Sequence, residues 1–203
     1  MNVRYLLKAI QSGVAGKAGD TAAYKAAALS TPAYGTLDQT LASLTNPLPE
    51  ITLDLLQAQP DGSLGKTLAQ FLQSNQIQPL TLSSNTRTEL KTAPILAIRY
   101  PILHDAFHVL LGFDTSLAGE LAVWSFVAAQ HYSPAYEHAA LIGRWFTRLI
   151  TPWQWGRLSA YETKGRQLGQ QAICVIAEPL EEFWAMPLDA VRVRFNLPSE
   201  ISN

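Results

Sequence analysis

Apolar residues recur along the chain at helical spacing. Leu64, Leu68, Phe71 and Leu72 stand at relative positions 0, 4, 7 and 8, one face of a helix. Val3, Leu6, Leu7, Ile10 and Val14 form a similar stripe, with Arg4, Lys8 and Gln11 opposite. The ordinary reading packs that stripe on the core; the alternative lays the helix on a membrane surface. Residues 20–29 are alanine-rich, and alanine is the best helix former. Thr36 can cap a segment carrying Leu37, Leu41 and Leu44, which Asn46-Pro47 and Pro49 end. Pro60-Asp61-Gly62 reads as a turn, and the polar stretch 73–86 as a linker. Thr86 with Glu89 reads as a capping box opening a helical run to Gly112. Pro94 and Pro101 predict a break or kink within that run. Ser133-Pro134 and Thr151-Pro152 each place a capping hydroxyl before a proline at the first helical position. Pro179 and Pro187 divide the remainder. No Asn-Gly hairpin signal is present, and the alternation of Val191, Val193 and Phe195 is short. The expected class is all-α: one multi-helix domain over 1–203, with eight or nine helices and a looser first 60 residues.

Charge sharpens this picture. The chain carries 15 basic and 16 acidic residues, and charged residues make up 15% against 48% apolar. An average domain carries about 25% charged residues. Disorder is excluded, because it needs low hydrophobicity and high net charge. Nucleic acid is not an expected partner, since phosphate binding needs a basic excess. A single cysteine, Cys174, excludes a disulfide scaffold. No stretch reaches the ~20 apolar residues of a spanning helix, and Lys8 interrupts any signal-peptide core. The expected location is cytoplasmic, with peripheral contact at the inner membrane face.

Candidate chemistry lies in the charge-poor stretch 95–130. His104 and His108 are four residues apart, about 40° around a helix, so both imidazoles can face one point. Asp105 stands about 100° from His104 and about 60° from His108, reaching the site from the flank. Gly112 ends this helix, and Asp114 or Thr115 can cap the next. Glu120 then falls in the second turn and, if the two helices pack antiparallel, returns to the level of the histidines. Two imidazoles and one or two carboxylates suit Zn²⁺, or a redox metal such as Fe or Mn. A buried structural network of the same groups is the alternative. The metalloprotease pattern H-E-x-x-H is a mechanical analogue, but Asp105 replaces its glutamate and no third ligand follows at its spacing.

These residues resemble a known family. His104-Asp105-Ala106-Phe107-His108, eleven residues and Glu120 are similar to the H-D-x-x-H-x11-E signature of the Coq-four family of ubiquinone-biosynthesis proteins. Asp61-Gly62-Ser63-Leu64-Gly65 resembles its P-[DE]-G-S-L-G segment, and Arg99-Tyr100 precedes the signature as in the family. Val109-Leu110-Leu111-Gly112 resembles T-L-L-G, and Leu117-Ala118-Gly119-Glu120 resembles L-x-G-E. Glu182-x-Trp184-x-x-Pro187-Leu188 and Arg192 through Phe195 are similar to the C-terminal W-x-x-P-L-x-x-x-R segment. The likeness covers roughly 60–197; Pro101 stands where many members carry a basic residue.

The resemblance implies a helical protein whose metal ligands are His104, Asp105, His108 and Glu120. The metal would be divalent, Zn first, with Fe, Mn, Co or Mg as alternatives. It implies binding of isoprenoid lipid or a prenylated quinone precursor, and organisation of other quinone-biosynthesis enzymes. Some members are linked to oxidative decarboxylation at ring carbon 1, and the same four residues would then be catalytic. A homodimer and a peripheral membrane association complete the expected partners.

Other residues carry weaker signals. Arg144 and Arg148 lie one helical turn apart and can jointly hold a lipid phosphate, or pair with Glu137 or another acid. His131 and His138 read as structural or surface residues, and Cys174 as a buried inert thiol. Trp145, Trp153 and Trp155 read as core anchors for at least two of the three, with a membrane or partner surface as the alternative.

Overall fold

Two helices are apolar on every side, a pattern that only an interior position tolerates. In the computed structural model, which describes residues 1–201, these are α7 (Ile95–Leu111) and α8 (Leu117–Ala129). Leu103, Phe107, Leu110 and Leu111 of α7 are buried, with Val123, Phe126 and Val127 of α8. Around them lie α1 (Val3–Val14), α2 (Ala18–Leu29), α3 (Leu37–Ala42), α4 (Leu53–Gln57), α5 (Leu64–Ser74) and α6 (Ser84–Glu89). The chain continues through α9 (Pro134–Ile150), α10 (Trp155–Gln171) and α11 (Leu188–Arg194), with short 3-10 turns at 152–154, 175–177 and 180–183. The all-α expectation is met, with no strand among the described residues. Among the described residues there are eleven α-helices, eight of them seven residues or longer, in line with the eight or nine expected; α3, α4 and α6 are only five or six residues long.

The long α10 lies directly on α8 because Gly165 and Gly169 remove side chains from the contact. A Cβ on Gly165 would stand 2.1 Å from the Ala122 carbonyl oxygen, and one on Gly169 would stand 2.5 Å from that of Phe126. Backbone cannot yield as a flexible side chain can. Gly165→Ala is therefore expected to destabilise the protein by about 2–3 kcal/mol, read as a lower midpoint in denaturant unfolding.

The segments that carry the family resemblance outside the signature have structural work. Gly62 adopts a left-handed turn (φ 74°), open to glycine without strain. Leu64 and Gly65 then donate backbone hydrogen bonds to the Met186 and Trp184 carbonyls, and Leu188 donates back to Gly62. Thus the 61–65 and 184–188 motifs are one contact. Arg192 donates to the Val109 and Leu110 carbonyls in the last turn of α7, where the helix ladder runs out of donors and Val109 also accepts from the Gly112 N–H. Arg99 is fully buried. Its guanidinium donates to the carbonyls of Asn46, Pro47, Ile176 and Glu178 and pairs with Glu181 at 2.8 Å.

Several local expectations shift. Thr86 is not the cap of α6; Ser83 caps that helix by accepting from the Thr86 N–H. Glu89 instead binds Lys8 and Tyr24, latching α1 and α2 to α6. Those two contacts hold the Glu89 carboxyl down to about 2. Ser116, not Asp114 or Thr115, caps α8, while Asp114 accepts from Ser116. Glu120 consequently sits in the first turn of α8, not the second. Thr36 precedes α3 without a side-chain cap, and Thr151-Pro152 opens a 3-10 turn rather than an α-helix. Helix α7 starts after Pro94 but runs unbroken through Pro101.

Exposure brings further corrections. Trp145, Trp153 and Trp155 are not core anchors: they are 61%, 76% and 52% exposed. Cys174 is exposed rather than buried. The α1 stripe does not pack inward as a whole, since Val3, Leu7, Ile10 and Val14 face solvent and only Ala9 is buried. No helix of the described residues is long and apolar enough to cross a membrane.

Candidate metal centre

Helix α7 carries His104 and His108 one turn apart, and the αL residue Gly112 (φ 69°) ends it. A five-residue connection turns the chain into α8, bringing Glu120 back beside the histidines. Glu120 Oε1 lies 3.3 Å from His108 Nε2, and Oε2 lies 3.4 Å from His104 Nε2. The two Nε2 atoms are 3.2 Å apart. All three ligand atoms fall within 4.8 Å of one another.

The other ring nitrogens are held from behind. His108 Nδ1–H donates to the Phe113 carbonyl at 3.2 Å, which leaves Nε2 as the free lone pair. His104 Nδ1 lies 3.1 Å from the Tyr100 hydroxyl; donating there, it also turns its Nε2 lone pair inward. Phe71 of α5 stacks on the His108 ring at 5.7 Å. Two lone pairs 3.2 Å apart repel unless a proton or cation lies between them. With Glu120 supplying negative charge, this donor set fits a divalent metal of borderline softness.

Asp105 is not among the three atoms that converge. It remains on the flank, where burial raises its carboxyl against the lowering influence of His104 and His108. Burial would raise Glu120 too, but in the metal-free protein its contacts with His104 and His108 outweigh burial and hold it down to about 2. Burial pulls His108 down, while the Glu120 hydrogen bond and charge and the Phe113 carbonyl lift it above its ordinary value.

The signs define a pH window for the metal-free protein. Glu120 stabilises the fold fully above its ordinary 4.5, and this contribution is lost as pH falls towards about 2. His108 stabilises fully below its ordinary 6.5 and loses its contribution as pH rises through the raised value. Unfolding of chelator-treated protein should therefore show greatest support from this pair between pH 4.5 and 6.5. His108→Ala should remove that maximum, as measured by urea titrations across pH.

Two members of the triad, His104 and Glu120, border a cavity of about 460 Å³. His104 and Glu120 lie on its wall, with Leu96 and Tyr100 of α7, Trp124 of α8 and Tyr136 of α9. Alanines and Leu29 of α2 close the opposite side. Burial holds the Tyr100 phenol well above its ordinary range, so it is neutral. Sequence reading missed this cavity. Its α2 wall includes Ala22 and Ala26 between the larger Lys25 and Leu29, and the missing bulk of those alanines leaves no local signal. The spacing of Tyr100 from His104, one turn, was the available clue.

Arg144 and Arg148 are not on the cavity wall. Both pair with Glu162 of α10, at 3.2 and 2.5 Å, and Arg148 is buried. Glu137 instead meets His131 at 2.9 Å and Tyr34 at 3.2 Å. His131 and His138 are exposed, in keeping with a surface reading.

Fold and site together define an all-α protein with a His–His–Glu cluster bordering an apolar cavity. Residues 47–200 match the family model for the coenzyme Q (ubiquinone) biosynthesis protein Coq4, and the chain belongs to that family. The relatives include the protein named ubiquinone biosynthesis protein COQ4 homolog, mitochondrial, in three vertebrates. The Rattus norvegicus protein is 33% identical, covering 70% of this chain and 53% of its own length. The Mus musculus protein is 35% identical with the same coverage. The Danio rerio protein is 32% identical, covering 72% and 54%. The chain thus spans about half the length of these curated relatives. The crystal structure of a ubiquinone-biosynthesis candidate from Nostoc punctiforme superimposes with a TM-score of 0.62 at 21% identity, over 95% of this chain and 96% of that one. That likeness concerns the fold.

Proposed function

We propose that this chain is a metal- and isoprenoid-lipid- or quinone-binding protein of ubiquinone-type quinone biosynthesis, which presents prenylated ring intermediates to other enzymes of that synthesis. Membership of the Coq4 family supports the setting. One observation carries the reading of the site: His104 and Glu120 stand on the wall of an otherwise largely apolar cavity. An isoprenoid tail suits such a wall, each buried CH₂ contributing about 0.8 kcal/mol. The polar ring of the same molecule would meet the triad. His104, His108 and Glu120 would hold a divalent metal, with Asp105 as a flanking carboxylate. Zn²⁺ is the first choice, and Fe, Mn, Co and Mg are the alternatives.

The same placement favours a second reading, in which the four residues serve oxidative decarboxylation at carbon 1 of the prenylated ring. A bound metal would supply Lewis acidity or redox capacity there. The protein's own part would be to orient the ring carboxylate beside His104 and to keep bulk water out with Trp124 and Tyr136.

Elemental analysis and organic extraction of one purified sample test the binding reading. It expects a divalent metal and an isoprenoid or quinone-like lipid; a sample with neither overturns it. For the second reading, metal-loaded protein without partner enzymes, supplied with dioxygen as the oxidant, should release CO₂ from a prenylated ring acid. Release only when partner enzymes are added favours presentation.

A further inference from the structure

Helix α9 buries little of itself. Of its 17 residues only Ala140, Thr147 and Arg148 are buried. Ile142, Trp145, Phe146 and Leu149 point outward, and Trp153 and Trp155 extend the same apolar surface just beyond the helix. These six residues are between 52% and 80% exposed. Scattered exposed apolar residues are normal, but so many between positions 142 and 155 are not.

Two further observations say what covers this face. The first is charge. From Ala139 to Ala160 the chain has three arginines and no acid. Arg144 and Arg148 share the single carboxylate of Glu162, and Arg157 pairs with Asp114, so these five groups leave one net positive charge at this corner. Tryptophan beside arginine is the pattern of side chains that settle at a lipid headgroup boundary. The second is continuity. Ala135, Tyr136 and Ala139 of α9 line the cavity. Ile142 and Phe146 follow Ala139 at helical offsets of three and seven, so the exposed stripe prolongs the cavity wall.

We propose that this α9 face docks on anionic lipid bilayers and sets the cavity against the lipid, so that an apolar occupant passes between bilayer and cavity without crossing water. The docking deepens the lipid-binding reading above, yet it is measurable in metal-free, lipid-free protein. Failure to dock therefore leaves the metal and extraction results standing, and the reverse also holds.

The probe is vesicles of phosphatidylcholine alone or with about one-third phosphatidylglycerol. The full chain should co-sediment with the anionic vesicles, less so as salt rises. Its tryptophan emission should shift to the blue and be quenched by brominated lipid. Ile142→Asp, at an exposed position, should retain the wild-type circular dichroism and unfolding midpoint and lower partitioning about tenfold or more. Quenching in the wild type reports contact independently of any variant. The proposal is overturned if wild type stays in the supernatant, or if folded Ile142→Asp partitions like wild type. It is also overturned if lipid-free protein sediments as a dimer that Ile142→Asp separates, because a second copy then covers the face.

Discussion

Glu120→Gln should leave the fold intact and lower divalent-metal affinity by about 100-fold or more. Glutamine keeps the size of the side chain and removes the only charge among the three converging ligands. What remains is a pair of imidazoles, each already fixed by its rear hydrogen bond to Tyr100 or Phe113. Competition with a chromophoric chelator measures the change directly, with Zn²⁺ as the probe. Equal affinity in wild type and variant would remove Glu120 from the site, and equal metal content in His104→Ala would dismiss the site altogether. Because the carboxylate is partly exposed, its loss should matter far less to unfolding than to metal binding.

Arg99→Met should be the most damaging substitution for stability, at about 3–5 kcal/mol. Methionine is similar in length, so packing alone is not the cause. The guanidinium satisfies four backbone carbonyls from two distant segments and a carboxylate that is 8% exposed. Its removal takes this donor from all of them at once; the Glu178 carbonyl keeps the Leu180 N–H, while the Glu181 carboxylate, left buried, loses its ion-pair partner. The midpoint of thermal unfolding should fall by roughly 10 °C or more. A midpoint within a degree or two of wild type would show that the 46–47 and 176–181 segments hold without it.

The comparison of sequence and structure turns on where information is local. The histidine pair was legible because helical periodicity is a property of neighbouring residues. Burial of α7 was legible because it is apolar all round. Glu120 was legible only through a guess about chain reversal, which the short connection satisfies. Trp145 of α9 and Trp153 and Trp155 just beyond it differ from the core reading for a physical reason: an apolar stripe states that a surface avoids water, not which surface covers it. The Arg144–Arg148 pair needed Glu162, a partner from the next helix. The cap of α6 slipped by three residues because Ser83, Ser84 and Thr86 offer equivalent hydroxyls and only chain direction selects among them.

Proline at position 101 leaves α7 one rung short. An interior proline has no N–H to give, so the Ala97 carbonyl four residues earlier receives no partner from the helix ladder. Ala97 and Pro101 both line the cavity. The residue that carries this unmatched oxygen thus stands on the greasy wall, one turn of helix further from the metal centre than Pro101 itself. Such a group cannot rotate away, cannot titrate and cannot be removed by changing the Ala97 side chain. Pro101→Ala would withdraw it by completing the ladder.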